Sequence, residues 1–171
     1  ELFADDATDL VEEMPASVVK RILAQADPAT RRMINELLQY PEDSAGGVMT
    51  TEFMELRPEM TVTQAMESIR ANGFDKETIN NCYVTDRERT LVGVVSLRAL
   101  VLEKDESRVM RDMMDTNVVS VSTTTDQEEV SRLFEKYGFL AIPVVDAEKR
   151  LVGIVTIDDA ISILQDEASG D

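Results

Sequence analysis

The 171-residue sequence has no histidine and a single cysteine, Cys82. Without imidazole, a Ser-His-Asp triad or a His-ligated zinc or iron centre cannot be assembled. One thiol excludes an internal disulfide and any multi-thiolate metal site. Bases are scarce: 17 Lys+Arg face 34 Asp+Glu, a formal net charge of −17. That balance argues against nucleic acid as a partner, because phosphate contacts need a basic patch, and an anionic membrane surface repels the chain for the same reason. No run approaches the roughly 18–20 apolar residues of a membrane span. The chemistry left open is a divalent cation held by oxygen, since carboxylates are the hard ligands present in excess.

What is there suffices for a core. At 43% hydrophobic the chain is no disordered acidic tail. Its length allows one or two modest domains burying about 70% of the unfolded surface. Glu1 opens inside an amphipathic pattern and the chain stops soon after a helical one, so a piece of a longer protein is expected.

An internal repeat at an offset of 60 residues organises the rest. Val84-Thr85-Asp86 and Thr90-Leu91-Val92-Gly93-Val94-Val95-Ser96 are matched by Val144-Val145-Asp146 and Arg150-Leu151-Val152-Gly153-Ile154-Val155-Thr156. Each copy reads as strand, charged turn, strand. A helical pattern follows each, with Leu97, Leu100 and Val101 in the first and Ile157, Ala160, Ile161 and Leu164 in the second. Upstream, Thr61 and Asp126 sit where N-caps belong. They precede apolar stripes of Ala65, Met66 and Ile69 and of Val130, Leu133 and Phe134.

The first forty residues differ. Phe3, Ala7, Leu10 and Met14 form one helical stripe, with Asp5, Asp6, Asp9, Glu12 and Glu13 on the other side. Further short helices are predicted around Val18–Leu23 and after Asp27-Pro28, the proline standing at a first helical position. Tyr40-Pro41-Glu42-Asp43-Ser44-Ala45-Gly46-Gly47 reads as a joint into the first repeat.

The repeated unit resembles the CBS domain, a βαββα module found in tandem pairs, and Gly153-Ile154-Val155-Thr156-Ile157-Asp158-Asp159 is close to that family's pattern. The joint, continued through Val48-Met49-Thr50, looks like the signature ahead of the CBS pair in MgtE-type magnesium transporters. Thr125-Asp126-Gln127-Glu128-Glu129-Val130 and Ile142-Pro143-Val144-Val145-Asp146 are similar to that family too. The expected fold is therefore α+β: residues 1–45 the end of a helical N domain and joint, 46–109 a first CBS domain, 110–171 a second, packed as a pseudo-symmetric pair. A connecting helix and membrane pore domain would follow in such transporters. The resemblance implies a homodimer through the CBS domains, at the cytoplasmic face of the membrane.

The acid is segregated. From Leu151 onward there are five acids and no base, and Asp5 and Asp9 are i, i+4 neighbours on one helix face. Two such charges about 5 Å apart repel by about 3 kcal/mol at an effective dielectric near 20. A divalent cation between two such surfaces reverses the sign, and Mg²⁺, which keeps several waters, suits carboxylates on facing helices. The bland alternative for any one cluster is a solvated helix face.

Position by position, the resemblance implies Mg²⁺ ligands at Asp5, Asp9, Glu128 and Asp159, with Glu167 and Asp171 facing the connecting helix. Ser162 and Gly138 stand where relatives can carry a carboxylate. CBS pairs often bind adenine nucleotide in the cleft between repeats. Asp159 occupies the position that holds ribose in many of them, whereas the first repeat has Ala99 there, preceded by Arg98. Cys82 reads as a structural thiol. No spacing implies a nucleophile or a phosphate-cradling loop, so no enzyme is expected. The expected function is a Mg²⁺-sensing regulatory region; the rivals are an adenine-nucleotide sensor and a plain scaffold.

Overall fold

The computed structural model describes residues 40–161; the predicted N-terminal helices, and Asp5, Asp9, Ser162, Glu167 and Asp171, lie outside them. In chain order the elements are α1 (Ala45–Val48), β1 (Phe53–Leu56), α2 (Val62–Asn72), a 3-10 turn (Gly73–Asp75), β2 (Thr78–Thr85), β3 (Leu91–Ser96), α3 (Leu97–Leu102), α4 (Met110–Met113), β4 (Val121–Ser122), α5 (Gln127–Tyr137), β5 (Ala141–Val145) and β6 (Leu151–Thr156). Residues 157–161 are helical again. Two three-stranded sheets, in the orders β1-β2-β3 and β4-β5-β6, make the fold a mixed α+β one.

The chain forms two compact bodies. The first comprises residues 52–120 with the hairpin tip 145–152; the described part of the second is 40–51, 121–144 and 153–161.

In the first body β1 runs parallel to β2, and β2 antiparallel to β3. A parallel neighbour needs a crossover, which α2 supplies. Strand alternation sorts the side chains: Met54 and Leu56 on β1 and Cys82 and Val84 on β2 join Val95, Leu100 and Met110 in one core. α2 covers that core with Val62, Ala65 and Ile69, a single helical stripe. A reciprocal capping box starts α2: Gln64 N–H donates to Thr61 Oγ1 at 3.2 Å, and Thr61 N–H to Gln64 Oε1 at 3.0 Å. The opposite sheet face carries Phe53 edge-on to Tyr83, centroids 6.3 Å apart. α3 contains all three apolar positions read from the sequence, but it buries Leu100 alone; Leu97 is half-buried and Val101 is 62% exposed.

Burial in this core pushes the Cys82 thiol up to about 12 from an ordinary value near 9.0, and raises the neighbouring Tyr83 phenol as well. The folded state thus holds a proton that the unfolded chain releases first, so stability should fall as pH rises above about 9. The slope for Cys82 should approach about 1.4 kcal/mol per pH unit up to the folded pKa. Urea titrations from pH 8 to 11 read this directly; a stability that rises or stays level across that span contradicts it.

Both hairpin turns are built alike. Asp86 Oδ1 accepts from the amides of Glu88 and Thr90, and Asp146 Oδ1 from those of Glu148 and Arg150. Arg89 and Lys149 then adopt left-handed conformations, each at φ 67°. The two tips pair through Leu91 N–H to Lys149 O at 3.1 Å and Leu151 N–H to Arg89 O at 2.9 Å. A polar group missed by sequence reading lies beside them. Thr85 Oγ1 donates to Glu55 at 2.6 Å, and Arg57 and Arg89 lie 3.4 and 3.9 Å from the same carboxylate.

In the second body α5 packs through Val130 and Phe134, 0% and 5% exposed. Asp126 Oδ1 caps it by accepting from Glu128 N–H at 2.8 Å, Lys136 sits in its last turn, and Gly138 at φ 68° closes it with an N–H to Phe134 O of 2.8 Å. Open space lies around the Gly138 Cα, so glycine answers here to the backbone alone. The short segment ahead of each repeat docks on the third strand of the other repeat: Thr50 exchanges hydrogen bonds with Ile154 of β6 at 2.8 and 2.9 Å, and Asp115 with Val94 of β3 at 2.9 and 3.0 Å.

Candidate functional site

Of the six predicted metal ligands, Glu128 and Asp159 are among the described residues, both in the second body. Each stands in the first turn of a helix, where the free amides and macrodipole favour a carboxylate. Glu128 follows the Asp126 cap, and its carboxylate is exposed, 3.8 Å from Arg132 one turn on. An exposed pair of this kind contributes about 0.3–0.5 kcal/mol and leaves the oxygens accessible to an ion. Asp159 is half-buried, and its N–H donates to Thr156 Oγ1 at 3.3 Å.

The corresponding junction in the first repeat has the same cap: Ala99 N–H donates to Ser96 Oγ at 3.0 Å. The two strand-to-helix corners therefore share one cap hydrogen bond but differ in chemistry. One presents a carboxylate and the other a methyl group, as the sequence pattern indicated. Arg98 beside it is exposed.

Among the described residues no three or more Cys, Asp or Glu side chains gather into a group able to hold a metal. Nor is any described helix long and apolar enough to cross a membrane.

These paired corners and βαβ units are those of a CBS tandem. Residues 45–105 and 110–166 match the CBS domain, and the chain belongs to that family. Residues 1–43 match the MgtE intracellular N domain. Together these make the chain a homologue of the cytosolic domains of MgtE magnesium transporters.

It is 44% identical over 166 residues to the magnesium transporter MgtE of Thermus thermophilus, across 97% of this chain and 37% of that protein. Its fold resembles the soluble part of a magnesium transporter, with a TM-score of 0.76 and 38% identity over 97% of this chain and 64% of that one. It also resembles the cytosolic domain of the Mg²⁺ channel MgtE in complex with ATP, with a TM-score of 0.74 and 33% identity over 94% and 75% of the two chains.

Proposed function

We propose that the chain is the Mg²⁺-sensing regulatory region of a magnesium transporter or channel, non-catalytic and at the cytoplasmic face of the membrane. It acts on a pore domain of the same polypeptide and is paired as a homodimer through its CBS domains. The division into 1–45, 46–109 and 110–171 belongs to this reading. The observation that carries it is the joint match of an MgtE N domain and a CBS pair in one chain.

Supporting it, Glu128 and Asp159 are both carboxylates in helix first turns of the same body. In the proposed mechanism, Mg²⁺ bridges them to Asp5 and Asp9, while Glu167 and Asp171 face the connection to the pore. High Mg²⁺ screens the repulsion and favours a closed form; low Mg²⁺ lets the acids separate, because an ion bound by one form alone shifts the population toward it.

Small-angle scattering of the 171-residue chain should show a smaller radius with millimolar Mg²⁺ than without it. Asp5→Ala with Asp9→Ala should keep the larger radius in both. A wild-type radius indifferent to Mg²⁺ sinks the sensor.

The second reading, adenine-nucleotide sensing, is favoured by the ATP complex of the similar domain and by the shared cap hydrogen bond of the Ser96 and Thr156 corners. Ala99 weighs against it in the first repeat. Calorimetry with ATP, ADP and AMP in Mg²⁺-free buffer separates the two, since tight binding without metal favours the nucleotide.

A further inference from the structure

Gly46-Gly47, next to Pro41, has the composition of a flexible hinge, yet neither glycine has positive φ and both are buried. A Cβ on Gly47 would lie 2.3 Å from Pro41 O and 2.7 Å from Glu42 O. One on Gly46 would lie 2.8 Å from the Tyr40 ring and 2.9 Å from Thr123 O. These glycines serve close backbone approach, not freedom of movement.

Ser44, 3% exposed, ties the turn internally: its Oγ donates to Pro41 O at 2.6 Å and accepts from Gly47 N–H at 3.3 Å. The turn is then stitched to the second repeat, although it precedes the first in sequence. Ala45 N–H donates to Thr125 O at 2.7 Å, Gly46 N–H to Thr123 O at 2.8 Å, and Gln127 N–H to Asp43 O at 2.8 Å. That last bond satisfies a first-turn amide of α5, one residue before Glu128.

We infer that residues 41–47 are a rigid coupler that moves with the second repeat as one body and positions the first turn of α5. The pivot of any movement between residues 1–39 and the second repeat therefore lies outside 41–47. What the coupler transmits rests on the Mg²⁺-switch reading; its rigidity and its hold on α5 do not.

Hydrogen exchange on the 171-residue chain tests both, in Mg²⁺-free and Mg²⁺-saturated buffer. The amides of Ala45, Gly46, Gly47 and Gln127 should exchange about 100-fold or more slower than in the unfolded chain, and alike within about twofold in the two buffers. Gly47→Ala should speed Gln127 by about tenfold or more while β2 amides in the first body stay protected. If Gly47→Ala also exposes β2, the milder Ser44→Ala decides, with faster exchange at Gln127 expected.

Loss of protection at 44–47 when Mg²⁺ is withdrawn would put the hinge in the joint and overturn the inference. So would a Gln127 amide indifferent to the deciding variant. Scattering on the same samples judges the switch separately: an unchanged radius beside a protected joint strikes the sensor and leaves the coupler standing.

Discussion

Phe134→Ala is expected to cost about 3–5 kcal/mol, the usual range for emptying a buried phenylalanine site. Phe134 is 5% exposed on α5, and its carbonyl also receives the Gly138 N–H that closes the helix. With Val130 it is the main apolar anchor of the element that carries Glu128. Tm should fall by roughly 10 °C. Any Mg²⁺ response should weaken with it, because the first turn of α5 loses its fixed support. Leu133→Ala, at a half-buried position one residue away, should cost visibly less. Equal losses for the two variants, in urea unfolding read by circular dichroism, would contradict this account of how α5 is held.

The second large effect is expected at Gly153. A Cβ there would lie 2.5 Å from Met49 Sδ and 2.9 Å from Thr50 O, where Thr50 is paired with Ile154. A methionine can turn aside; a backbone oxygen fixed in a bridge cannot. Gly153→Ala should therefore cost about 2–3 kcal/mol, at the upper end of the overpacking range. At the matching Gly93 the three nearest atoms all belong to the Met114 side chain, at 2.5 to 2.9 Å, so Gly93→Ala should cost less. Adding Met49→Ala should return only part of the loss at Gly153, since the Thr50 contact remains. Full rescue would show that the methionine alone sets the penalty.

Much of this was legible because it is local. The Thr61 and Asp126 caps and the Asp86 and Asp146 turns each depend on residues within four positions of one another. The stripes of α2 and α5 follow from the same short-range periodicity. Val101 misled because apolar periodicity over so few residues does not state which of them faces the core; α3 includes both, yet Leu100 is buried and Val101 is exposed. The Glu55–Arg57–Thr85 group was invisible since Thr85 stands thirty residues from Glu55 and meets it only through strand register. The contacts of the joint were invisible for the same reason. Its glycines look like punctuation until Thr123 and Thr125 are seen against them. Glu128 and Asp159 were singled out by the family resemblance, and their places in helix first turns follow from the local Asp126 and Thr156 contacts.

The paired hairpin tips carry one more consequence. The second repeat's tip, 145–152, belongs to the compact body built around the first repeat, and it supplies the main-chain partners of Arg89 and Leu91. A chain divided near residue 110 would leave those backbone groups facing water on one fragment and a stranded tip on the other. The tandem reads as a duplicated segment, but each copy borrows backbone partners from the other: Arg89 and Leu91 from the second, Ile154 from Thr50 ahead of the first.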